Sequence, residues 1–267
     1  MLKKFYRLSQ RFGIDPVVFA ASFRASLQFM IDLLQYRRLS KTEYLSAKFS
    51  NLNPILTDFR DRSAGDTRSC YFFQDLWAAR KIFERRPSEH IDIGSRIDGF
   101  VAHVLSFMSV TVYDIRPLQA QIPELKFIQS DATDLPEVPT ESITSLSSLN
   151  AAEHFGLGRY GDPVDPTACF RFMATLTRIL KPGGYLYFAV PIGLERLEFN
   201  AHRVFAPSTV LSAFQKLDLV SFAAVDDFGV FRVVADPSEF VKSRLACGLF
   251  EFRKPSDRNW GLKKLDV

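Results

Sequence analysis

The chain is predicted to be an α/β protein with a mostly parallel sheet and a helical extension in front of it, and three observations predict this. From residue 90 onward, short apolar runs alternate with stretches of helical periodicity, the pattern of successive βαβ units. The run Ile91-Asp92-Ile93 breaks at Gly94, and a second run, Val110-Thr111-Val112-Tyr113, ends in Asp114 about one βαβ unit later. Charge is divided along the chain: residues 1–50 carry nine basic side chains against three acids, a local +6, and the rest sums to −2.

The elements follow in order. Asp15 and Pro16 supply an N-cap and a first helical residue. Phe19, Phe23, Leu27, Met30 and Leu34 then recur at helical spacing to about Tyr36, with Arg24, Gln28, Asp32 and Gln35 on the other side. Two readings of this wide apolar face stand side by side: packing on its own domain, or lying on an anionic membrane surface or a membrane-bound partner. The expected division is an amphipathic extension over 1–56, a polar, turn-rich linker over 57–70, a main domain over 71–254 and a tail over 255–267. Within the main domain a helix is expected over about Tyr71–Arg85, a strand near His90–Ile93 and a helix from there to Met108. Strands are expected near Val110–Asp114, Lys126–Ser130, Ile143–Leu149 and Tyr185–Val190, then Leu219–Val225 and Gly248–Phe252, seven in all. Helices over Thr167–Leu180 and Ser208–Leu217 complete the set.

Bulk composition excludes several classes. A net charge of +4 over 267 residues does not suggest a nucleic-acid binder. Cys70, Cys169 and Cys247 are odd in number and far apart, so neither a disulfide framework nor a zinc site is indicated, and no metal is expected. No uninterrupted apolar run approaches the roughly 20 residues that span a bilayer. Arg24 and Asp32 interrupt the first apolar stretch, which argues against a cleaved signal peptide. The expected setting is cytoplasmic, with possible peripheral attachment at the inner face of the membrane.

The Gly94 loop reads as a nucleotide-cofactor site, and the residues around it select among nucleotides. A dinucleotide fingerprint, G-x-G-x-x-G, rests a pyrophosphate on the helix N-terminus, and Arg96 and Ile97 crowd that place. Gly94 and Gly99 have the separation of a P-loop, yet Phe100 and Val101 follow where Lys and Ser/Thr belong. A Y-x-x-x-K pattern at Tyr44–Lys48 precedes the first cofactor strand, against the order a nucleotide-sugar oxidoreductase or epimerase requires. A cofactor with ribose and adenine but no phosphates fits better, and S-adenosylmethionine is the common one.

The series resembles a class I S-adenosylmethionine-dependent methyltransferase over roughly residues 71–254. Asp92-Ile93-Gly94-Ser95 stands at the D-x-G-x-G position, with Arg96 replacing the second glycine and Gly99 closing a longer loop. Asp114, followed by Ile115, stands where an acid holds both ribose hydroxyls; Asp131-Ala132 stands where the adenine amino group is met; Lys181-Pro182-Gly183-Gly184 matches the turn before strand five. The resemblance implies a Rossmann-like fold, S-adenosyl-L-methionine as cofactor, and Asn150 at the end of strand four on the cofactor side. The strings around Glu153, His154, Arg159, Tyr160 and Asp162, and around Asn200, His202 and Arg203, are similar to an uncharacterised methyltransferase-like family, a domain of unknown function. Its members are often associated with polysaccharide and glycosylation genes, which implies a sugar or glycan acceptor.

Methyl transfer to a hydroxyl needs in-line alignment and a base at the acceptor oxygen. His154 is the first candidate base, His202 the second, and Asp162 a third through a water; each histidine is also readable as a hydrogen bond shaping its own loop. Glu153, Arg159, Tyr160, Asn200 and Arg203 are the candidate acceptor contacts, and the arginines are equally readable as structural ion pairs. The competing class is a non-catalytic scaffold that uses the cofactor fold to organise a membrane-associated glycosylation assembly.

Overall fold

The computed structural model describes residues 15–39, 54, 56, 67 and 69–256. Lys3, Lys4, Arg7, Arg11, the Tyr44–Lys48 pattern, most of the 57–70 linker and residues 257–267 of the tail lie outside the described residues. The chain divides into two compact units, Met1–Gly65 and Asp66–Val267.

In the first unit, α1 spans Pro16–Leu39, three residues beyond the expected end. Asp15 caps it, its Oδ1 accepting from the Val17 amide at 2.9 Å and the Val18 amide at 3.3 Å. At 1.5 Å per residue these 24 residues are about 36 Å long. By length and composition α1 is therefore long and apolar enough to cross a membrane, which corrects the sequence-based exclusion of any spanning segment. Arg24 and Asp32 break the apolar run without lowering its average far enough. Core helices and signal sequences pass the same test.

The second unit is a three-layer α/β structure. Helix α2 (Cys70–Arg85) begins at Ser69, whose Oγ accepts from the Tyr71 amide at 3.3 Å, and ends at Arg86 in the left-handed region. There follow β1 (Ile91–Ile93), a π-helical turn (Ile97–Val101), α3 (Ala102–Leu105), β2 (Val110–Asp114), β3 (Leu125–Gln129) and β4 (Ile143–Leu149). A 3-10 turn (Ala152–His154), α4 (Ala168–Ile179) and β5 (Leu180–Ile192) come next, then a hairpin of β6 (Arg196–Glu198) and β7 (His202–Val204). Helix α5 (Pro207–Ala213), β8 (Asp218–Val225), β9 (Phe231–Arg232) and β10 (Ala246–Arg253) complete it.

The sheet runs β3-β2-β1-β4-β5-β10-β8-β9. Strands β1 to β5 are parallel, and β10 inserts antiparallel to both β5 and β8. This is the Rossmann-like, doubly wound arrangement expected, with strand order reversing between β1 and β4. It has eight strands, one more than expected, because the two-residue β9 adds an edge; the β6–β7 hairpin forms its own small sheet and was not foreseen. Both faces are covered, so the central strands alternate between two cores. Leu186, Phe188 and Val190 pack with Phe172, Met173, Leu176 and Phe214 on one side. Tyr187 and Ala189 pack with Trp77, Ile82, Phe100 and Val104 on the other. Glu251, on β10 and fully buried, accepts from Lys81 Nζ at 2.8 Å and Arg85 Nη2 at 2.5 Å, which anchors α2 to the sheet.

Two local expectations change. The helix expected through Met108 opens with π-helical spacing, Val101 N–H bonding to Arg96 O at 3.3 Å, and regular α-helix is confined to α3. The Lys181–Gly184 turn is part of β5, a bulge between the Ile143/Leu180 and Ser145/Tyr185 pairs. Gly183 takes φ +80° there. A Cβ on Gly184 would meet the Lys181, Thr144 and Ile143 carbonyl oxygens at 2.9, 3.0 and 3.1 Å. Gly184→Ala is expected to destabilise the fold by about 2 kcal/mol and to lower Tm by several degrees in a thermal melt, since backbone on three sides cannot yield. An unchanged Tm would show that the bulge relaxes freely.

Candidate functional site

Where the strand order reverses, the carboxyl ends of β1, β2, β3 and β4 and the loop after β4 enclose a cavity of about 480 Å³. Gly94, Arg96, Asp114, Ile115, Asp131, Ala132, Asn150, His154, Tyr160 and Asp162 line it, so ten of the expected site residues converge. Tyr71, Asp98 and Arg116 also line it and were not singled out from the sequence.

The Gly94 loop is shaped from behind. Gly94 has φ +75°, its amide donates to Tyr113 O at 2.9 Å, and a Cβ there would lie 2.9 Å from the Ala151 Cβ. Asp92 is fully buried and does not reach the cavity. It accepts from Ser95 N at 3.1 Å, Ser95 Oγ at 2.6 Å and Ser147 Oγ at 2.5 Å, and Ser95 Oγ accepts from Leu149 N at 3.0 Å. Burial pushes the Asp92 carboxyl up to about 6, against those hydrogen bonds, which lower it. Asp92 and Ser95 are thus positioning residues, a correction to their expected cofactor contact. Gly99 is also off the cavity: a Cβ on it would meet Asp75 Oδ2 at 2.4 Å, so the glycine admits α2. Arg96 pairs with Asp98 at 3.0 Å, and its guanidinium lies 5.1 Å from the Tyr71 ring centroid.

At the end of β2, Asp114 is held by one arginine. Its Oδ1 accepts from the Arg116 amide at 2.8 Å and Nε at 2.9 Å, and its Oδ2 from Nη2 at 2.5 Å. The spacing Asp114-Ile115-Arg116 is the signal that sequence reading passed over. Asp131 makes a local turn, Oδ1 accepting from Thr133 N at 2.9 Å and Thr133 Oγ1 at 2.6 Å. Asn150 takes φ +51°, and its side chain turns to two thiols, donating to Cys70 Sγ at 3.5 Å and accepting from Cys247 Sγ at 3.7 Å.

On the β4-loop side, His154 Nδ1 donates to Ala201 O at 2.7 Å, which leaves the Nε2 lone pair free of that bond. Burial pulls this imidazole down to about 4, against the Ala201 carbonyl, so His154 is neutral near pH 7. The Tyr160 ring packs edge-on at 5.4 Å. Asp162 lines the cavity while accepting from Gly158 N and Tyr160 N, each at 3.1 Å, and so fixes the loop.

His202 and Arg203 on β7, Asn200 in the hairpin turn, Arg159 and Glu153 do not line this cavity. Arg159 Nη1 donates to Ala201 O at 3.0 Å, and Arg203 Nη1 donates to Phe155 O at 2.6 Å. The hairpin therefore braces the β4 loop and sets His154. Asn200 supplies the turn at φ +62°, and His202 Nε2 is buried 3.9 Å from Glu198 Oε2.

A family model described as "Caenorhabditis protein of unknown function, DUF268" matches residues 132–228, a little over a third of the chain. That span carries the His154 loop and the bracing hairpin, and it omits Gly94 and Asp114. No curated protein matches. Among solved structures, the chain is similar to the N-methyltransferase NodS from Bradyrhizobium japonicum WM9 in complex with S-adenosyl-L-homocysteine, at 16% identity over 77% of this chain and 94% of that one, with a TM-score of 0.49. It is similar to the [4+2]-cyclase SpnF at 14% identity over 68% and 81%, with a TM-score of 0.49. It is also similar to the 1,6-didemethyltoxoflavin-N1-methyltransferase of Burkholderia thailandensis, at 14% over 69% and 79%, with a TM-score of 0.47. At such identities and scores the likeness does not decide function.

Glu153 makes the site's stability depend on pH. It is 2% exposed, its Oε2 has no hydrogen-bond partner, and burial pushes its carboxyl up to about 8 from 4.5. Between those values the folded chain holds a proton that the unfolded chain has lost, so this contribution to stability falls as pH rises through the window. Glu153→Gln is expected to gain about 2 kcal/mol relative to wild type between pH 6 and 8 in urea unfolding. Parallel stability curves for the two proteins would exclude a buried neutral Glu153.

Proposed function

We propose that the protein is an S-adenosylmethionine-dependent methyltransferase that methylates a hydroxyl of a sugar or glycan. The observation that carries the cofactor half is the convergence of Gly94, Asp114 and Asp131 at the strand-order reversal. The lining holds four carboxylates, Asp98, Asp114, Asp131 and Asp162, against two guanidiniums, Arg96 and Arg116. Such a lining favours a ligand carrying positive charge and disfavours a pyrophosphate. Gly94 would meet the methionine end with its backbone, Asp114 would accept from both ribose hydroxyls once the Arg116 fork yields, and Asp131 would accept from the adenine amino group. When bound, the sulfonium supplies an electrophilic methyl group.

His154 is the residue of this chain suited to the acceptor. Its Nδ1 is committed to Ala201, so Nε2 can receive the acceptor's proton. An imidazole pulled down to about 4 is a weak base, yet it suffices for an oxygen that has gained a methyl group, whose proton is strongly acidic. The Tyr160 ring and the Asp162 carboxylate, both on the cavity, offer the aromatic face and the acceptor oxygens that polyhydroxylated ligands use. The glycan assignment rests on this chemistry and on the family resemblance. Asp114→Ala is expected to weaken S-adenosylhomocysteine binding about tenfold or more by isothermal titration, with the fold intact. His154→Gln should leave that affinity unchanged and lower turnover about 10²-fold or more. Undiminished affinity in the first variant, or undiminished turnover in the second, would remove the corresponding role. Cofactor binding by a folded protein that methylates no hydroxyl acceptor in a glycan panel would leave the scaffold reading.

Helix α1 suggests the setting. Its length and apolar composition, beside the basic excess of residues 1–50, suit attachment to an anionic membrane. The full chain should sediment with vesicles containing phosphatidylserine, and a chain starting at Asp66 should not. Equal sedimentation of both would rule out the tether.

A further inference from the structure

Cys70, the first residue of α2, and Cys247, near the start of β10, lie 177 positions apart and meet beside the cavity. The Asn150 side chain touches both sulfurs, donating to Cys70 Sγ at 3.5 Å and accepting from Cys247 Sγ at 3.7 Å. Cys247 Sγ also approaches Gln74 Oε1 at 3.8 Å. Gln74 Nε2 in turn donates to Asp75 Oδ1 at 3.2 Å, and Asp75 packs against Gly99 of the cofactor loop. The two sulfurs differ in environment. Cys70 is partly exposed and stands at the N-terminus of a 16-residue helix, where the dipole favours a thiolate; the Cys247 thiol beside it pulls it below the usual thiol range. Cys247 is buried, its pKa raised by that contact and by burial. An accessible, activated thiol beside a buried partner is the arrangement of a sensing and a resolving cysteine. The proposed activity leaves this pair unused.

We propose that Cys70 and Cys247 are a modification site at which a peroxide generates a reversible intramolecular disulfide. The Cys70 thiolate attacks one peroxide oxygen, forming an S–O bond as the O–O bond breaks; the departing hydroxide takes up the proton Cys70 gave up and leaves as water. Cys247 sulfur then attacks the Cys70 sulfenic sulfur, forming the S–S bond, and the expelled hydroxyl leaves as a second water with the Cys247 proton. Two thiols lose two electrons and one peroxide becomes two waters. A dithiol reductant reverses the step. Drawing the sulfurs together removes both contacts that hold the Asn150 side chain, so the modification reaches the end of β4, where Asn150 and Ala151 line the cavity.

The test uses the full chain, reduced and then exposed to hydrogen peroxide. Titratable thiols should fall from three to one, the intact mass should drop by two hydrogens, and peptide mapping should join Cys70 to Cys247, with the fully buried Cys169 left free. Dithiothreitol should restore all three. Cys70→Ser and Cys247→Ser should each abolish the link while melting as wild type does. In the untreated wild type, Cys70 should be alkylated by iodoacetamide before either other cysteine, a readout that needs no variant. Hydrogen exchange at Asn150 and Ala151 should rise at least threefold on oxidation. Three persistent thiols, a link through Cys169 or between chains, a Cys70 sulfinate without the disulfide, or unchanged exchange at Asn150 and Ala151 would each overturn the proposal.

Discussion

The Gly94 loop depends on a carboxylate that does not line the cavity. Asp92 lies at 0% exposure in the central strand and gathers the Ser95 amide, the Ser95 hydroxyl and the Ser147 hydroxyl. An unpaired buried charge would cost several kcal/mol, so the group is tolerable only because these donors converge on it. Satisfying it folds the chain after β1 back on itself and ties that loop to β4 at Ser147 and Leu149. The two strands flanking the reversal of strand order are thereby locked in register, and the cavity opens from the gap they leave. Behind Asp92, His90 reaches Ser145 Oγ at 2.8 Å and Ser147 Oγ at 2.9 Å, which extends the buried network across β1 and β4.

The same economy governs the loop after β4. The Ala201 carbonyl, in the hairpin turn, accepts from both His154 and Arg159, while Arg203 reaches over to the Phe155 carbonyl. Residues with conspicuous side chains thus serve as scaffolding, and a plain backbone carbonyl sets the orientation of the imidazole. Arg116 plays a comparable part at the end of β2, where its fork covers the Asp114 carboxylate. Any ligand using Asp114 has to displace or share that fork, which links occupancy of the cavity to the position of a guanidinium lying 5.1 Å from the Tyr160 ring centroid.

Much of the fold was legible because apolar periodicity and glycine placement are local. Ile91–Ile93, Val110–Asp114 and Ile143–Leu149 are strands in the structure over almost the expected residues, and the Lys181–Gly184 segment turns where its glycines permit. Gly94 and Asp114 were legible for the same reason: each is dictated by its place at the end of a strand. Gly99 was misread because a missing Cβ gives the same signal whether a ligand or another helix comes close, and here Asp75 of α2 does. The β6–β7 hairpin was missed because its strands are three residues each, too short to show alternation.

The sequence by itself determined the order of strands and helices, the glycine at the first turn and the acid at the end of the second strand. These follow from residues within one turn or one strand of each other, where side-chain period and backbone freedom decide. Only the tertiary structure decided which polar groups face the cavity, because that depends on contacts between segments far apart in the chain. It turned Asp92 and Glu153 inward and set His202 on the hairpin, off the cavity lining. It also brought Cys70 and Cys247, unrelated by any spacing rule, to one asparagine side chain.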